Sequence, residues 1–225
     1  MEIVPIADFR CPLKTKFGIP RQSGIVGSLE GEIVLRKEFR DGAALRGLAD
    51  FDYIWVIWGF SENRKRDWQP LVRPPRLGGN AGMGVFATRS PYRPNPLGLS
   101  SLRVTGVGDG VIKVSGADLM DGTPIYDIKP YVSYTDSHEG VRNGFVDANA
   151  WKEVEVIFPE DLQRSLAAIC GGNAVETVIQ LLSQDPRPRY QDDPDKVYGM
   201  NYGDADVRFS VKDNILTVKE IKELI

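Results

Sequence analysis

The strongest pattern in the chain is the run Phe51–Phe60 (FDYIWVIWGF), aromatic and β-branched almost throughout, which predicts a strand buried on both faces. Leu99–Val107 alternates apolar and polar positions, meets Gly108-Asp109-Gly110, and returns through Val111–Ser115, as a hairpin would. Trp151–Phe158 (WKEVEVIF) sets Val154, Val156 and Phe158 on one face. Loops dense in Gly and Pro separate these strands, a spacing that favours a barrel or sandwich over a doubly wound sheet.

The period then lengthens. Asp161–Cys170 and Ala174–Gln184 carry apolar residues at helical spacing, for example Val175, Val178, Ile179 and Leu182, and Gly171-Gly172 separates the two. Two more strand-like pieces follow, Val207–Val211 and Ile215–Val218, with Asp213-Asn214 between them. The expected organisation is mainly β, with a first domain over 1–158 and a small α+β domain over 159–225.

Composition is that of a globular protein, with 42% hydrophobic and 26% charged residues in a chain of 225. No run approaches the roughly 18–20 apolar residues of a membrane span. The start, MEIVPIADFR, carries Glu2 and Asp8 and lacks the basic-then-apolar order of a signal peptide, so a cytoplasmic location is expected. Cys11 and Cys170 stand far apart and His138 is the single histidine, set in a polar run. Those counts point away from a disulfide framework and from metal sites built on cysteines or on two imidazoles. Net charge is −3, yet Glu62–Arg103 holds eight basic residues against Glu62 and Asp67; that segment is +6 and the remainder −9. A local basic stretch of this kind suits a polyanion.

Gly82-Met83-Gly84-Val85-Phe86-Ala87 has the spacing of a dinucleotide fingerprint, but Arg89-Ser90-Pro91 follows and cannot continue as the helix that motif needs. Ala87–Ser100 is more informative. Pro91, Pro94 and Pro96 stiffen it and remove amide donors, and Arg89 and Arg93 add planar forks for a carboxylate or phosphate. Asp121-Gly122-Thr123-Pro124, taken alone, reads as a β-turn.

Arg89–Ser100 (RSPYRPNPLGLS) resembles the R-S-P-x-R-P-N-P-[IL]-G signature of the TrmO (TsaA-like) family of tRNA adenine-N6 methyltransferases. Further similar stretches fall in the family's order: Phe17–Gly24, Val72–Asn80, Asp118–Tyr131, Gln184–Pro188 and Val197-Tyr198. The resemblance implies a single-sheet β-barrel methyltransferase that works as a homodimer and binds S-adenosylmethionine beside the dimer interface. Its substrate would be tRNA carrying N6-threonylcarbamoyladenosine at position 37. Cofactor contacts would fall on Pro20, Arg21, Gln22, Ser61, Glu62, Arg89, Leu99, Asp121, Gly122, Thr123 and Pro124.

These residue types suit that ligand. Arg21 or Arg89 can hold a carboxylate, Asp121 can accept from ribose hydroxyls or an ammonium, and Leu99 can cover a purine face. Tyr126 and Asp127 are candidates for a base at N6. Arg93 or Arg76 is expected to grip the substrate's threonyl carboxylate, and Arg187 and Arg189, beside Tyr190, to meet tRNA. On this reading the residues beyond Pro159 serve mainly the tRNA, and the first domain binds cofactor without them. One departure stands out: family members commonly end the aromatic strand in Phe-His, whereas this chain has Phe60-Ser61. That difference motivates a second reading, a tRNA-binding or regulatory protein without methyl transfer.

Overall fold

Along the chain, strands β1 (Ala7–Arg10), β2 (Glu30–Leu35) and β3 (Tyr53–Gly59) lead to a small ribbon of β4 (Leu71–Val72) and β5 (Met83–Gly84), then to β6 (Leu97–Gly108), β7 (Val111–Ser115) and β8 (Pro124–Pro130). The computed structural model describes residues 2–63, 67–74, 77, 81–149, 152–187 and 193–224. Within it the larger strands close an antiparallel barrel in the order β1-β2-β7-β6-β3-β8, with β8 returning to β1.

Alternation fills the barrel. Ile54, Val56 and Trp58 of β3 point inward against Phe9, Ile33, Leu102, Ile112, Val114 and Ile125. The outer side of β3 is not buried as the sequence suggested: Tyr53 is 43% exposed, and Trp55 and Ile57 are half-buried. Aromatic and β-branched residues satisfy a strand on either face, so composition alone did not separate the wet side from the dry one. The β6–β7 hairpin turns through Asp109 (φ 51°) and Gly110 (φ 74°), both left-handed as a tight hairpin requires.

The glycine of the Pro-rich signature has a packing reason. Gly98 pairs with Trp58 across β3–β6, and the Trp58 indole occupies the space a Cβ at Gly98 would need. The indole is fixed there because its Nε1–H donates to Ser100 Oγ at 2.9 Å. Gly98→Ala is expected to lower stability by about 1–3 kcal/mol through overpacking. Urea unfolding reads this directly, and an unshifted midpoint would show that the indole yields.

After β8 come two single-turn helices, α1 (Ser133–Asp136) and α2 (Phe145–Ala148), and then a second sheet. Its elements are β9 (Glu155–Ile157), α3 (Glu160–Cys170), α4 (Asn173–Ser183), β10 (Tyr198–Tyr202), β11 (Ala205–Lys212) and β12 (Ile215–Glu223). Strand order is β10-β11-β12-β9, with β9 parallel to β12. The helices turn through 117° at Gly171-Gly172, where Gly171 takes φ 92°. Asp213 and Asn214 make a second left-handed hairpin turn at φ 50° and 63°. By hydrogen bonding this sheet already begins at Glu155, ahead of the division near Pro159, and Val154 and Phe158 sit in its core.

The two units share a core. Leu13, Val26 and Leu29, from the connection between β1 and β2, are buried with Leu166, Val178, Leu181, Met200, Val207, Phe209 and Leu216 of the second unit. Phe17 stacks on Tyr198 (ring centroids 6.5 Å) and on Phe209 (6.4 Å). Gly18, at φ 91°, lies so close to the Met200 side chain that a Cβ would collide with it. Hydrogen bonds complete the seam: Gly203 N–H donates to Pro12 O at 2.9 Å, Thr177 Oγ1 to Ser28 O at 3.1 Å and Ser28 Oγ to Gln180 Oε1 at 2.9 Å. The expected independence of the first domain is therefore not what the packing shows. Apolar residues in an aperiodic connection gave no sign of which sheet they would serve.

Candidate cofactor site

Three separate chain segments meet at the end of β3. The first is the loop Phe17–Gly24, raised on the second sheet by Phe17 and Gly18, with Pro20 buried and Arg21 exposed. The second is the single turn Ser61–Asn63 that ends β3; Lys16 reaches it, with Nζ 3.7 Å from Glu62 Oε2 and 3.4 Å from the Glu62 carbonyl. The third is the Pro-rich loop, whose end is pinned by the Phe60 amide donating to Pro96 O at 3.0 Å. Arg89 of that loop donates through Nη1 to Gln22 Oε1 of the first.

On the outer face beside them lie Leu99, 53% exposed and paired with Ile57, and Tyr126. Tyr126 sits in a register break, because Ile57 faces Asp127 while Trp58 faces Ile125. Such a bulge re-aims a side chain. Its ring lies over Gly59, where a Cβ would come 2.8 Å from the ring and 3.4 Å from Pro124. Gln22, Ser61, Glu62, Arg89, Leu99 and Pro124 are thus gathered around one end of β3.

Asp121 has a role within the fold. Its Oδ1 accepts from the Cys11 amide at 3.1 Å, and its own amide donates to Leu13 O at 2.9 Å. Thr123 N–H closes the turn onto Met120 O at 3.2 Å with Gly122 at φ 74°, so the β-turn spans Met120–Thr123, one residue ahead of the Asp121–Pro124 turn the sequence suggested. That turn clamps the chain leading into the Phe17–Gly24 loop. The neighbouring Cys11 thiol is pushed up to about 12 by burial, which keeps it protonated and unreactive.

Other expected site residues are engaged elsewhere. Arg93 donates through Nη1 to the carbonyls of Thr88 (2.7 Å) and Val85 (3.1 Å), and its guanidinium lies 5.5 Å over the Phe86 ring. It folds the Pro-rich loop from within. Arg187 forms a two-pronged pair with Asp185, at 2.8 and 3.0 Å, in the second unit. Asp127 pairs with Lys129 at 2.8 Å and accepts from the Ile128 amide. Arg76 and Arg189 lie outside the described residues. His138 is exposed.

The sequence reading missed a polar chain behind the site, running from buried Trp58 and Ser100 to half-buried Asp118. Trp58 Nε1–H donates to Ser100 Oγ, and Ser100 Oγ donates to Asp118 Oδ1 at 2.6 Å. Burial pushes the Asp118 carboxyl above its ordinary range, while the Ser100 hydrogen bond and Arg89 pull the other way. Two signals pointed there: a serine on the inward alternation Gly98, Ser100, Leu102, and a lone acid between Ala117 and Leu119.

The chain matches the tRNA-methyltransferase O N-terminal domain over residues 8–137 and the TrmO C-terminal domain over residues 152–224. It is 39% identical over 216 residues to the tRNA (adenine(37)-N6)-methyltransferase of Escherichia coli K12, covering 92% of each chain. A Pseudomonas aeruginosa PAO1 protein, provisionally named an S-adenosylmethionine-dependent methyltransferase, is 38% identical over 211 residues, 92% of this chain and 91% of its own. The crystal structure of TrmO from Pseudomonas aeruginosa superposes with a TM-score of 0.83 at 30% identity, covering 99% of this chain and 97% of that one. A barrel of this order, a signature loop pinned to the end of β3, and similarity running through both units all give one answer: the chain belongs to the TrmO family.

Proposed function

We propose that this protein transfers the methyl group of S-adenosylmethionine to N6 of N6-threonylcarbamoyladenosine at position 37 of tRNA. The observation that carries the proposal is the meeting of Gln22, Ser61-Glu62 and Arg89 with the apolar wall of Leu99 and Tyr126 at the end of β3. That donor set fits the cofactor. Arg89 offers a planar fork to a carboxylate, Glu62 an acceptor to an ammonium, and Leu99 a surface for a purine. When bound, the cofactor supplies a methyl group already activated on a sulfonium, so the protein's task is alignment. Tyr126, the nearer of the two base candidates to this end of β3, has its hydroxyl beside Gly59, where its oxygen could accept a hydrogen bond from N6–H and orient it. A homodimer through the barrel and a cytoplasmic location belong to the same reading. The resemblance supports the dimer.

The threonyl carboxylate gives substrate recognition an anionic handle, and acylation of N6 acidifies its remaining proton. Unmodified transcript is therefore expected to be methylated about tenfold or more slower than tRNA carrying the modification, since one charge-assisted contact is worth about 1.5–3 kcal/mol. The test follows tritium from labelled S-adenosylmethionine into each tRNA side by side. Equal rates would remove the threonylcarbamoyl requirement. Cofactor binding without transfer to either tRNA would favour the non-catalytic reading that Ser61 motivates.

A further inference from the structure

We infer that the β4–β5 ribbon and the turn after it form an RNA-stacking surface: Phe86, backed by Arg93 and flanked by Trp68, meets the face of an unpaired base beside the methylated adenosine. The inference rests on the tRNA reading above. It deepens that reading by assigning the surface on which the anticodon loop is held.

The turn Val85–Ala87 is held from several sides. Val85 is buried, and its amide donates to Pro70 O at 3.0 Å, which continues the β4–β5 register. Thr88 returns both its amide and its hydroxyl to Val85 O, at 3.1 and 2.9 Å. The Gln69 amide donates to Tyr92 O at 3.0 Å, which ties the Pro-rich loop to the segment ahead of β4. With Val85 turned in, its neighbour Phe86 is turned out and is 71% exposed. Trp68 and Leu71, on the facing segment, are also more than half exposed. Phe86 belongs to neither core, so packing does not account for a large apolar ring at this place.

Charge identifies the partner. The ribbon lies within the +6 segment of a chain whose net charge is −3, and Arg73, at the end of β4, is exposed. The Arg93 guanidinium lies 5.5 Å over the Phe86 ring and bonds the carbonyls of Val85 and Thr88, so it backs one face of the ring. The other face is open. A basic surface that displays aromatic faces suits single-stranded RNA, whose bases stack while its phosphates meet the positive charge. An adenosine that leaves its stack to reach a methyl donor uncovers the face of the base next to it. Phe86 stands three residues from Arg89, a reach of at most about 11 Å, close enough to cover that neighbour.

The test measures affinity for tRNA carrying the threonylcarbamoyl group, S-adenosylmethionine affinity by calorimetry, and mass by light scattering, for wild type, Phe86→Ala, Phe86→Leu and Phe86→Trp. Phe86→Ala should weaken tRNA binding about tenfold while cofactor affinity and mass stay at wild-type values. Phe86→Trp, which keeps an aromatic face, should bind tRNA as wild type does. Phe86→Leu, apolar without a ring, should follow Phe86→Ala. Undiminished tRNA affinity in Phe86→Ala overturns the inference, and so does wild-type affinity in Phe86→Leu, since apolar contact would then suffice. A reduced mass for Phe86→Ala puts a second copy of the chain on this face and overturns it as well. If wild type binds tRNA and the variants behave as expected but no methyl is transferred, the transferase reading falls and this inference stands. No tRNA binding by wild type overturns both.

Discussion

A chain ended at Pro159 loses S-adenosylmethionine binding by about a hundredfold while its barrel stays folded. The barrel core of Phe9, Ile33, Ile54, Val56, Leu102, Ile112, Val114 and Ile125 draws on no residue beyond β8, so strand content survives the cut. The loop that carries Pro20, Arg21 and Gln22 does not. Leu13, Val26 and Leu29 are fully buried only because the second sheet and its helices cover them, and Phe17 rests on Tyr198 and Phe209. Burying side chains of this size is worth about 1.5–3 kcal/mol each, so exposing three of them removes most of what orders the segment. A site whose competent arrangement falls to about one part in a hundred loses affinity by the same factor. Calorimetry on the truncated protein, with circular dichroism as the fold control and light scattering for the proposed dimer, measures the effect. An affinity within a few-fold of the full chain would show that the second unit serves tRNA alone, as the sequence led one to expect.

The second large effect is at Arg89. Replacing it with alanine should weaken S-adenosylmethionine binding about ten- to a hundredfold, the equivalent of losing one charge-assisted hydrogen bond of about 1.5–3 kcal/mol. Arg89 is exposed, so the substitution leaves no cavity and no buried orphan. Its structural partner, Gln22 Oε1, returns to water at little cost. Arg89→Lys keeps the charge without the fork and should fall between the two. Calorimetry is decisive when thermal unfolding confirms the fold. Cofactor affinity equal to wild type would remove Arg89 from the site and turn attention to Arg21.

What was legible in the sequence follows physical rules that act locally. The β6–β7 hairpin announced itself because Asp109-Gly110 accepts left-handed backbone and its flanks alternate. α3 and α4 were readable from apolar spacing and from the glycines between them. The Pro-rich loop was recognisable because prolines and arginines interleaved have few structural uses. Other features depend on contacts distant in sequence. Nothing near Arg93 says that its fork will close on Val85 and Thr88 and not on substrate. Nothing near Asp118 names Ser100 as its neighbour, and a three-residue strand such as β9 is too short to carry a period. Leu13, Val26 and Leu29 showed hydrophobicity without a direction.

The seam between Leu13–Leu29 and the last strands also sets an order of events during synthesis. The barrel closes when β8 pairs with β1, so it completes once residues near Pro130 are available. The loop bearing Gln22 must wait for Tyr198, Met200 and Phe209, contacts that span most of the chain. Contacts of such separation form late, since the entropy of closing the intervening chain precedes any return from them. A nascent chain therefore carries a finished barrel and an unfinished cofactor loop until β10–β12 emerge. Refolding should show the same sequence, with barrel formation first and docking of the loop as the slower step. Competence to bind the methyl donor is then the last property the molecule acquires, gained only when its two ends have met.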